Sequence, residues 1–257
     1  MSQTFPIGRR LELYISSPQP CDYIKGNESQ NIFISPEIKI TPDIYQYLLT
    51  IGFRRSGSHA YRPHCATCRS CISCRIDVRE FKPSKSQRRV LAKNSPVTFT
   101  SVPSKFIEEH YDLYLRYQAF KHPKGSMGRF RKLEYEEFLC QSFGHTLMYE
   151  TRLDGKLLAV SVTDVFYDAL SAVYTFFDPD YSARSLGTLS ILQQIKAAKN
   201  RGKKHLYLGY FIQNSEKMAY KKNFMPIEML IEGEWRRYFK GDELPDQSAP
   251  LDSAITF

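Results

Sequence analysis

The sequence predicts an α+β fold with a mixed, largely antiparallel sheet. Its 257 residues are 42% hydrophobic and 14% aromatic, which is enough to bury a sizeable core and excludes disordered and collagen-like chains. Between residues 146 and 177, three apolar segments separated by tight turns predict an antiparallel meander. Segments with helical spacing of apolar residues precede and follow it, which completes the α+β pattern.

We expect two domains, a small cysteine-containing α+β domain over residues 1–100 and a larger domain over residues 101–257. The first hundred residues are basic, interrupted by prolines, and contain five of the six cysteines. Thr41 and Pro42 there predict the start of a helix, and Gly52 predicts its end. We predict no other helix in this domain.

The second domain begins with a helix that Ser104 is expected to cap, ending near Phe120. An Asp154-Gly155 turn predicts the first hairpin of the meander. A basic loop is predicted over 121–132, followed by a helix over 132–141. The remaining predicted elements are strands over 146–153, 156–166 and 170–177, a helix over 186–200, a strand over 203–210, a short helix over 215–223 and a last strand over 226–231.

The net charge favours a polyanionic partner. There are 36 Lys and Arg against 27 Asp and Glu, giving +9 and a pI of about 9.2, so nucleic acid is the first candidate. The sequence contains no apolar run long enough to span a membrane and no secretory pattern near its start. We therefore expect a cytoplasmic protein with no membrane partner.

The cysteines form the densest motif. Cys65, Cys68, Cys71 and Cys74 make three overlapping C-x-x-C units, and Cys21 is a more distant fifth thiol. Such spacing lets thiolates converge on zinc or an iron–sulfur cluster, whereas disulfides are rare in a reducing compartment. Plain reduced thiols are the equally weighted alternative, and the fourth ligand could be Cys21 or Cys74.

The segment that runs from Arg184 through Gly187 to Leu189 precedes a predicted helix, whose free amides favour an anion. It resembles the pyrophosphate-binding turn of acetyltransferases of the GNAT fold. Leu189 departs from that pattern because a small residue usually stands there.

Longer motifs are similar to those of the bacterial aminoacyl-tRNA–protein transferases, in particular the aspartate/glutamate leucyltransferase type. Together they extend from about residue 20 to residue 235. They comprise Cys21, Gly52–Gly57, Tyr61–Cys71, Ser86–Arg89, Asp112–Tyr117, Val162–Asp164, Tyr174–Phe177, Ser185–Leu189, Leu206–Tyr210 and Met218–Lys221.

The resemblance implies a GNAT-like second domain and transfer of leucine from leucyl-tRNA to the α-amino group of proteins that begin with Asp or Glu. In this family such tagging marks the protein for degradation through the N-degron pathway. Because an aminoacyl ester is already activated and orientation supplies much of the rate, transfer should need no cofactor.

Site residues are expected in three groups. Asp164, Tyr174, Tyr220 and Lys221 are the catalytic candidates, with Asp164 orienting the amine and Tyr220 or Lys221 serving the departing ribose oxygen. The acceptor's acidic side chain would bind cations, and the tRNA a separate basic group. The acceptor candidates are Arg54, Arg55 and Arg116, and the tRNA candidates are Lys85, Arg88, Arg89, Arg129, Arg131, Arg184 and Gly187.

Three alternatives stay open. Arginine could replace leucine as the donor residue, because both branches of the family share the same chemistry. Fold analogy alone favours an acyl-CoA-dependent N-acetyltransferase. A non-enzymatic nucleic-acid-binding module would explain the charge and the cysteines but would leave the second domain without a role. The sequence does not indicate an oligomeric state.

Overall fold

A computed structural model describes residues 2–4, 10–123 and 126–246 of the chain. The chain divides into two compact units, unit 1 with Met1–Arg75 and Leu208–Phe257 and unit 2 with Ile76–Tyr207. The predicted domain boundary near residue 100 therefore falls inside unit 2. The physical reason is that residues 98–103 form a strand hydrogen-bonded to its neighbour in the sheet of that unit.

Unit 1 contains a five-stranded antiparallel sheet with the strand order β1 (Ser2–Thr4), β2 (Arg10–Ile15), β5 (Asn31–Ile34), β7 (His59–Pro63) and β6 (Arg54–Ser56). Its helix α1 (Pro42–Thr50) starts as predicted, since the Thr41 side chain accepts a hydrogen bond from the Ile44 amide and Pro42 occupies the first turn. The first elements are β1 Ser2–Thr4, β2 Arg10–Ile15, β3 Gln19–Pro20, β4 Glu28–Ser29, β5 Asn31–Ile34, α1 Pro42–Thr50, β6 Arg54–Ser56, β7 His59–Pro63 and β8 Ile72–Asp77.

Unit 2 contains a five-stranded mixed sheet with the strand order β9 (Thr98–Pro103), β10 (His145–Leu153), β11 (Lys156–Val165), β12 (Ala169–Phe177) and β13 (His205–Phe211). Of these neighbouring pairs, only β12 and β13 are parallel. Asp154 and Gly155 make the predicted turn, both with positive φ. The elements are α2 Lys85–Lys93, β9 Thr98–Pro103, α3 Glu108–Lys121, a 3-10 helix Ser126–Arg129, α4 Lys132–Tyr135, a π-helix Glu136–Cys140, β10 His145–Leu153, β11 Lys156–Val165, β12 Ala169–Phe177, a 3-10 helix Pro179–Arg184, α5 Leu186–Asn200 and β13 His205–Phe211.

The chain returns to unit 1 within β13. In unit 1, β14 (Ile227–Ile231) pairs with β15 (Glu234–Tyr238) and with the first part of β8, where Met229 lies opposite Cys74. The last elements are α6 Glu216–Ala219, a 3-10 helix Tyr220–Asn223, β14 Ile227–Ile231 and β15 Glu234–Tyr238.

Several local predictions need correction. Ser104 does not cap α3: the cap is Ile107, while the Ser104 hydroxyl donates to backbone oxygens near residue 140. Helix α2 was not predicted, although Ser84 and Gln87 form a capping box at its start. The predicted basic loop contains a 3-10 helix, and its residues 124 and 125 lie outside the described part. Among the described residues, no helix is long and apolar enough to cross a membrane.

The core of unit 2 is aromatic on one face of the sheet. Helix α3 and the segment 135–139 pack there through Tyr114, Tyr135 and Leu139 against Val162 and Phe176. The opposite face receives α5 and carries hydrogen-bonded polar pairs, including Thr163 with Gln194. Strand β11 thus presents two chemically different faces, as its alternating side chains require.

Candidate functional site

A buried lysine is the centre of one candidate site in unit 1. Lys221 is 4% exposed, and its Nζ donates to the Tyr210 carbonyl oxygen and lies 3.1 Å from the Met218 Sδ. Burial lowers the pKa of Lys221 to about 8, and the charge of Arg54 lowers it further while the Cys74 and Cys71 thiols oppose the change. Among the described residues no carboxylate pairs with this ammonium group.

Arg54, on β6, is also buried, and its positive charge acts on Lys221. Gly209 makes room for Arg54: the glycine has φ +84°, and a Cβ there would be 3.3 Å from the guanidinium Nη2. A side chain at this position would therefore be strained and would press on the guanidinium. We call Arg54, Cys74, Gly209, Tyr210 and Lys221 the lysine cluster.

The structure distinguishes Cys74 from the other cysteines of the motif. Cys74 is fully buried, its Sγ donates to the Gly209 carbonyl oxygen at 3.4 Å, and its pKa is raised by burial. Burial raises the pKa of Cys71 to about 12, and electrostatic repulsion from Cys65, Cys68 and Cys21 adds to this effect. Cys74 therefore belongs to the lysine cluster.

Cys21, Cys65, Cys68 and Cys71 are the thiols that could hold zinc or an iron–sulfur cluster. All are free thiols. In the described part of the chain no three of their sulfur atoms lie within 4.8 Å of one another, so their present rotamers do not form a closed four-thiolate site. Metal binding stays a prediction.

Unit 2 contains the other two predicted catalytic residues. Asp164 is 3% exposed and accepts a hydrogen bond from the Thr146 hydroxyl at 2.6 Å, so it is held on β11 rather than on a surface turn. Tyr174 is half-buried on β12, and its hydroxyl accepts from Gln118 Nε2 at 2.7 Å. Val162, the register partner of Tyr174, is two residues from Asp164 on the same strand.

The remaining catalytic and acceptor candidates differ in availability. Tyr220 is 44% exposed, and desolvation with the nearby Cys74 raises its pKa to about 12. Arg55 is buried, and its Nη1 lies 3.5 Å from the Gly57 carbonyl oxygen. Arg116, in unit 2, already donates to two carboxylates, those of Asp178 at 2.6 Å and Asp180 at 3.0 Å. This arrangement gives Arg116 a structural partner and weakens its assignment to an acceptor carboxylate.

Most of the tRNA candidates meet on two neighbouring helices of unit 2. Lys85, Arg88 and Arg89 are exposed on α2. The end of α2 is bonded to the approach to α5, where Arg184 Nη1 donates to the Lys93 carbonyl oxygen at 3.1 Å.

At the start of α5, Ser185 has φ +54° and provides no side-chain cap. Gly187 is the second residue of the helix. A Cβ at Gly187 would be 3.6 Å from the Phe177 ring. Arg129 and Arg131 are exposed on a different segment, where Arg131 forms an ion pair with Glu134. The structure thus joins five of the seven tRNA candidates on α2 and at the start of α5.

Comparison with known proteins identifies the family. The model described as arginine-tRNA-protein transferase, N terminus, matches residues 19–89, and the corresponding C-terminus model matches residues 109–231. An aspartate/glutamate leucyltransferase from Chromohalobacter salexigens is 41% identical over 241 residues, covering 92% of this chain and 98% of that protein. The chain belongs to the aminoacyl-tRNA–protein transferase family.

A second transferase of the same name, from Pseudomonas aeruginosa, is 42% identical over 226 residues, covering 88% of this chain and 96% of its own. Among solved structures, the DUF2156 C-terminal domain of a candidate lysylphosphatidylglycerol synthetase from Agrobacterium fabrum is 16% identical with a TM-score of 0.48, covering 77% of this chain and 64% of that one. The elements of the structure itself confirm the predicted mixed α+β architecture.

Sequence reasoning missed three contributors to the site regions of this transferase: Gly209, Thr146 and Gln118. Gly209 stood inside the Leu206–Tyr210 motif, and its position in a predicted strand was a signal of close backbone approach. Thr146 and Gln118 gave no signal, because their partners are 18 and 56 residues away along the chain.

Proposed function

We propose that this transferase moves leucine from leucyl-tRNA to the α-amino group of proteins that begin with Asp or Glu. The observation that carries the proposal is the 41–42% identity to relatives named aspartate/glutamate leucyltransferase over most of the chain. The lysine cluster agrees with it, because the buried Arg54 and Lys221 both contribute positive charge there. Positive charge favours the binding of a carboxylate, and an acidic acceptor residue supplies one.

Arg54 is the cation proposed to bind the acceptor's carboxylate. A guanidinium group presents two parallel donors that match a carboxylate, and burial strengthens the attraction. Arg55, buried next to it in sequence, is proposed to support the same recognition. Arg116 is not included in this proposal, because it already donates to Asp178 and Asp180.

The reaction joins the acceptor nitrogen to the leucyl carbonyl carbon and breaks the ester bond to the tRNA ribose. The proton that leaves the amine ends on the ribose oxygen, so no external reactant is needed. With a pKa of about 8, Lys221 is about nine-tenths protonated at pH 7 and transfers a proton more readily than an ordinary lysine. We assign it to the departing oxygen.

The other catalytic candidates have complementary roles. Tyr220, with its pKa of about 12, stays protonated near neutral pH and can donate a hydrogen bond to the departing oxygen. Asp164, fixed by Thr146, is proposed to orient the amine, and Tyr174 to donate to the carbonyl oxygen as negative charge develops there.

The tRNA is proposed to bind unit 2 through its cations. Lys85, Arg88 and Arg89 on α2 would contact the phosphate backbone, with Arg129 and Arg131 extending this contact. Arg184 and the amides near Gly187 would hold its 3′ end, because a helix start favours anions. Such binding should weaken steeply with salt.

The test is direct transfer to a peptide. The purified protein is mixed with an Asp-starting peptide and with tRNA charged with leucine or arginine, and the peptide mass is read. We expect a leucine adduct, and none on the same peptide with an N-terminal Ala. An arginine adduct would refute leucine as the donor residue, and no adduct with either tRNA would require a trial of acetyl-coenzyme A.

A further inference from the structure

A hydrogen-bonded amide lies inside the aromatic core of unit 2. Gln118, on α3, has no exposed surface, and its Nε2 lies 2.7 Å from the Tyr174 hydroxyl oxygen. Its neighbours on α3 include Tyr114 and Tyr117, both buried. A polar amide in such a setting needs a reason, because an apolar side chain of the same size would pack there without desolvation cost.

Because the Tyr174 hydroxyl oxygen accepts the hydrogen bond from Gln118, its own hydrogen is available to a different acceptor. An amide nitrogen has only hydrogens to offer, so the Tyr174 oxygen accepts and its own hydrogen must point elsewhere. Burial raises the pKa of Tyr174, and the hydrogen bond from Gln118 offsets only part of that rise, so the phenol keeps its proton at neutral pH. Tyr174 is therefore a directed hydrogen-bond donor.

The other end of the amide strengthens the argument. Gln118 Oε1 is buried and, within the part of the chain that the structure describes, has no hydrogen-bond partner. An unpaired buried oxygen of this kind costs about 1–3 kcal/mol. The amide is thus retained at a cost to stability, which is typical of residues that serve a reaction.

The backbone around Tyr174 is irregular in two places. Val162 pairs with Tyr174 but Thr163 pairs with Ala172, so β12 carries a bulge at Val173. Phe138 packs against the Tyr174 ring with centroids 5.4 Å apart, and it belongs to the π-helix Glu136–Cys140. Bulges and π-helical turns often re-aim side chains at functional sites.

We propose that Gln118 is a positioning residue for aminoacyl transfer, holding the Tyr174 hydroxyl so that its hydrogen points at the ester carbonyl oxygen of the aminoacyl-tRNA. The inference rests on the proposed function. As the acceptor nitrogen bonds to the carbonyl carbon, negative charge develops on that oxygen and the Tyr174 hydrogen bond stabilises it. The phenol keeps its proton, and the charge returns to re-form the carbonyl as the ribose oxygen leaves.

A double-mutant cycle tests the proposal in the full chain with leucyl-tRNA and an Asp-starting peptide. We expect Tyr174→Phe to lower kcat about 100-fold, as for loss of one oxyanion donor, and Gln118→Met to lower it about tenfold with KM unchanged. In the Tyr174→Phe background, Gln118→Met should cost less than twofold, because the hydroxyl through which it acts is gone.

Gln194→Met is the matched control. Gln194 is equally buried in unit 2 and accepts a hydrogen bond from Thr163 at 3.0 Å, so its replacement removes a similar interaction from the other face of the sheet. Its kcat should stay within twofold of the wild type. Thermal unfolding of each variant checks that folding is retained.

The outcomes separate the inference from the proposed function. Equal losses from Gln118→Met with and without Tyr174, or an equal loss from Gln194→Met, would show a packing role and overturn the inference alone. Full activity of Gln118→Met beside an impaired Tyr174→Phe would do the same. A wild-type protein without leucine transfer would instead refute the proposed function.

Discussion

Two clusters of buried charge in this transferase are built in opposite ways. In unit 2, His110 contacts Glu150 at 2.7 Å, and Arg152 bridges Glu150 and Glu109. In the lysine cluster of unit 1, the Lys221 ammonium group donates to the Tyr210 carbonyl oxygen, and among the described residues no carboxylate pairs with it. The first cluster therefore pairs Arg152 with carboxylates, whereas in the second a backbone oxygen accepts the hydrogen bond of Lys221.

The largest effect is expected from removing Lys221, which distinguishes the lysine cluster from the His110 cluster. Lys221→Met should lower kcat by about 100-fold or more, because a positioned proton donor contributes about that much. In the wild type kcat should fall as pH rises through about 8, since the acid form of Lys221 is lost there, and this descending limb should be absent from the variant. Steady-state kinetics between pH 6 and 9 make the measurement.

Lys222→Met is the control for that experiment, because Lys222 is exposed on the same 3-10 helix. It should retain both the rate and the pH profile of the wild type. If Lys221→Met kept full activity, the lysine cluster would be a structural feature like the His110 cluster, and the contrast between the two would disappear.

A second experiment moves the guanidinium without removing it. Gly209→Ala places a methyl group 3.3 Å from the original position of Arg54 Nη2, so we expect KM for an Asp-starting peptide to rise about tenfold. Gly233→Ala is matched in unit 1, since Gly233 has φ +83° with no atom within 4 Å of the added carbon. It shares the backbone strain and should leave KM unchanged.

A similar rise in both glycine variants would mean that strain, not displacement of Arg54, weakens acceptor binding. The stability of each variant, measured by urea unfolding, should fall by about 1 kcal/mol in both, because each alanine is forced to a positive φ. Only the KM readout separates the two positions.

Exposed cations should give a smaller effect than buried ones. Replacing Lys85, Arg88 and Arg89 together with Gln should raise KM for leucyl-tRNA by about three- to tenfold at moderate salt and make binding less salt-dependent, because fewer counterions are released. Filter binding across a salt series measures the slope. The control replaces Lys196 and Lys199, near the end of α5, and Arg201, directly after it, with Gln. An equal change in this triple variant would refute a specific role for α2.

Several elements of this fold could be predicted from local signals, although the local capping box at the start of α2 was missed and Ser104 does not cap α3. The α1 start at Thr41, the Asp154-Gly155 turn and the helix over 186–200 depend on neighbouring residues, and the structure confirms them. The lysine cluster combines residues of β6 and β8 with residues of β13 and of the 3-10 helix at Tyr220, and Cys74 is 135 residues from Gly209 along the chain. Sequence spacing carries no information about such distances.

The cysteine motif shows the same limit within ten residues. From the regular C-x-x-C spacing alone, Cys71 and Cys74 are equivalent candidates for a metal ligand. Cys74 lies inside β8, so its side chain direction is set by the strand, and it points to Gly209, whereas Cys71 precedes the strand and lies near Cys65 and Cys68. Strand geometry, which the spacing does not encode, decides which thiols share a site.

The smallest expected effect concerns the neutralised cluster and tests whether it is only structural. Burial lowers the pKa of His110 below its usual 6.5, although Glu150 opposes this, so the native state keeps His110 neutral. Burial raises the pKa of Glu150, but hydrogen bonds from Arg152 and His110 outweigh it and lower the pKa overall. The unfolded chain therefore binds more protons below about pH 6.5, and the free energy of unfolding should decline as pH falls from 7 to 5. His110→Gln, measured by urea unfolding at both pH values, should remove part of that decline while leaving kcat at pH 7 unchanged; a loss of kcat in the folded variant would place catalytic chemistry in both clusters.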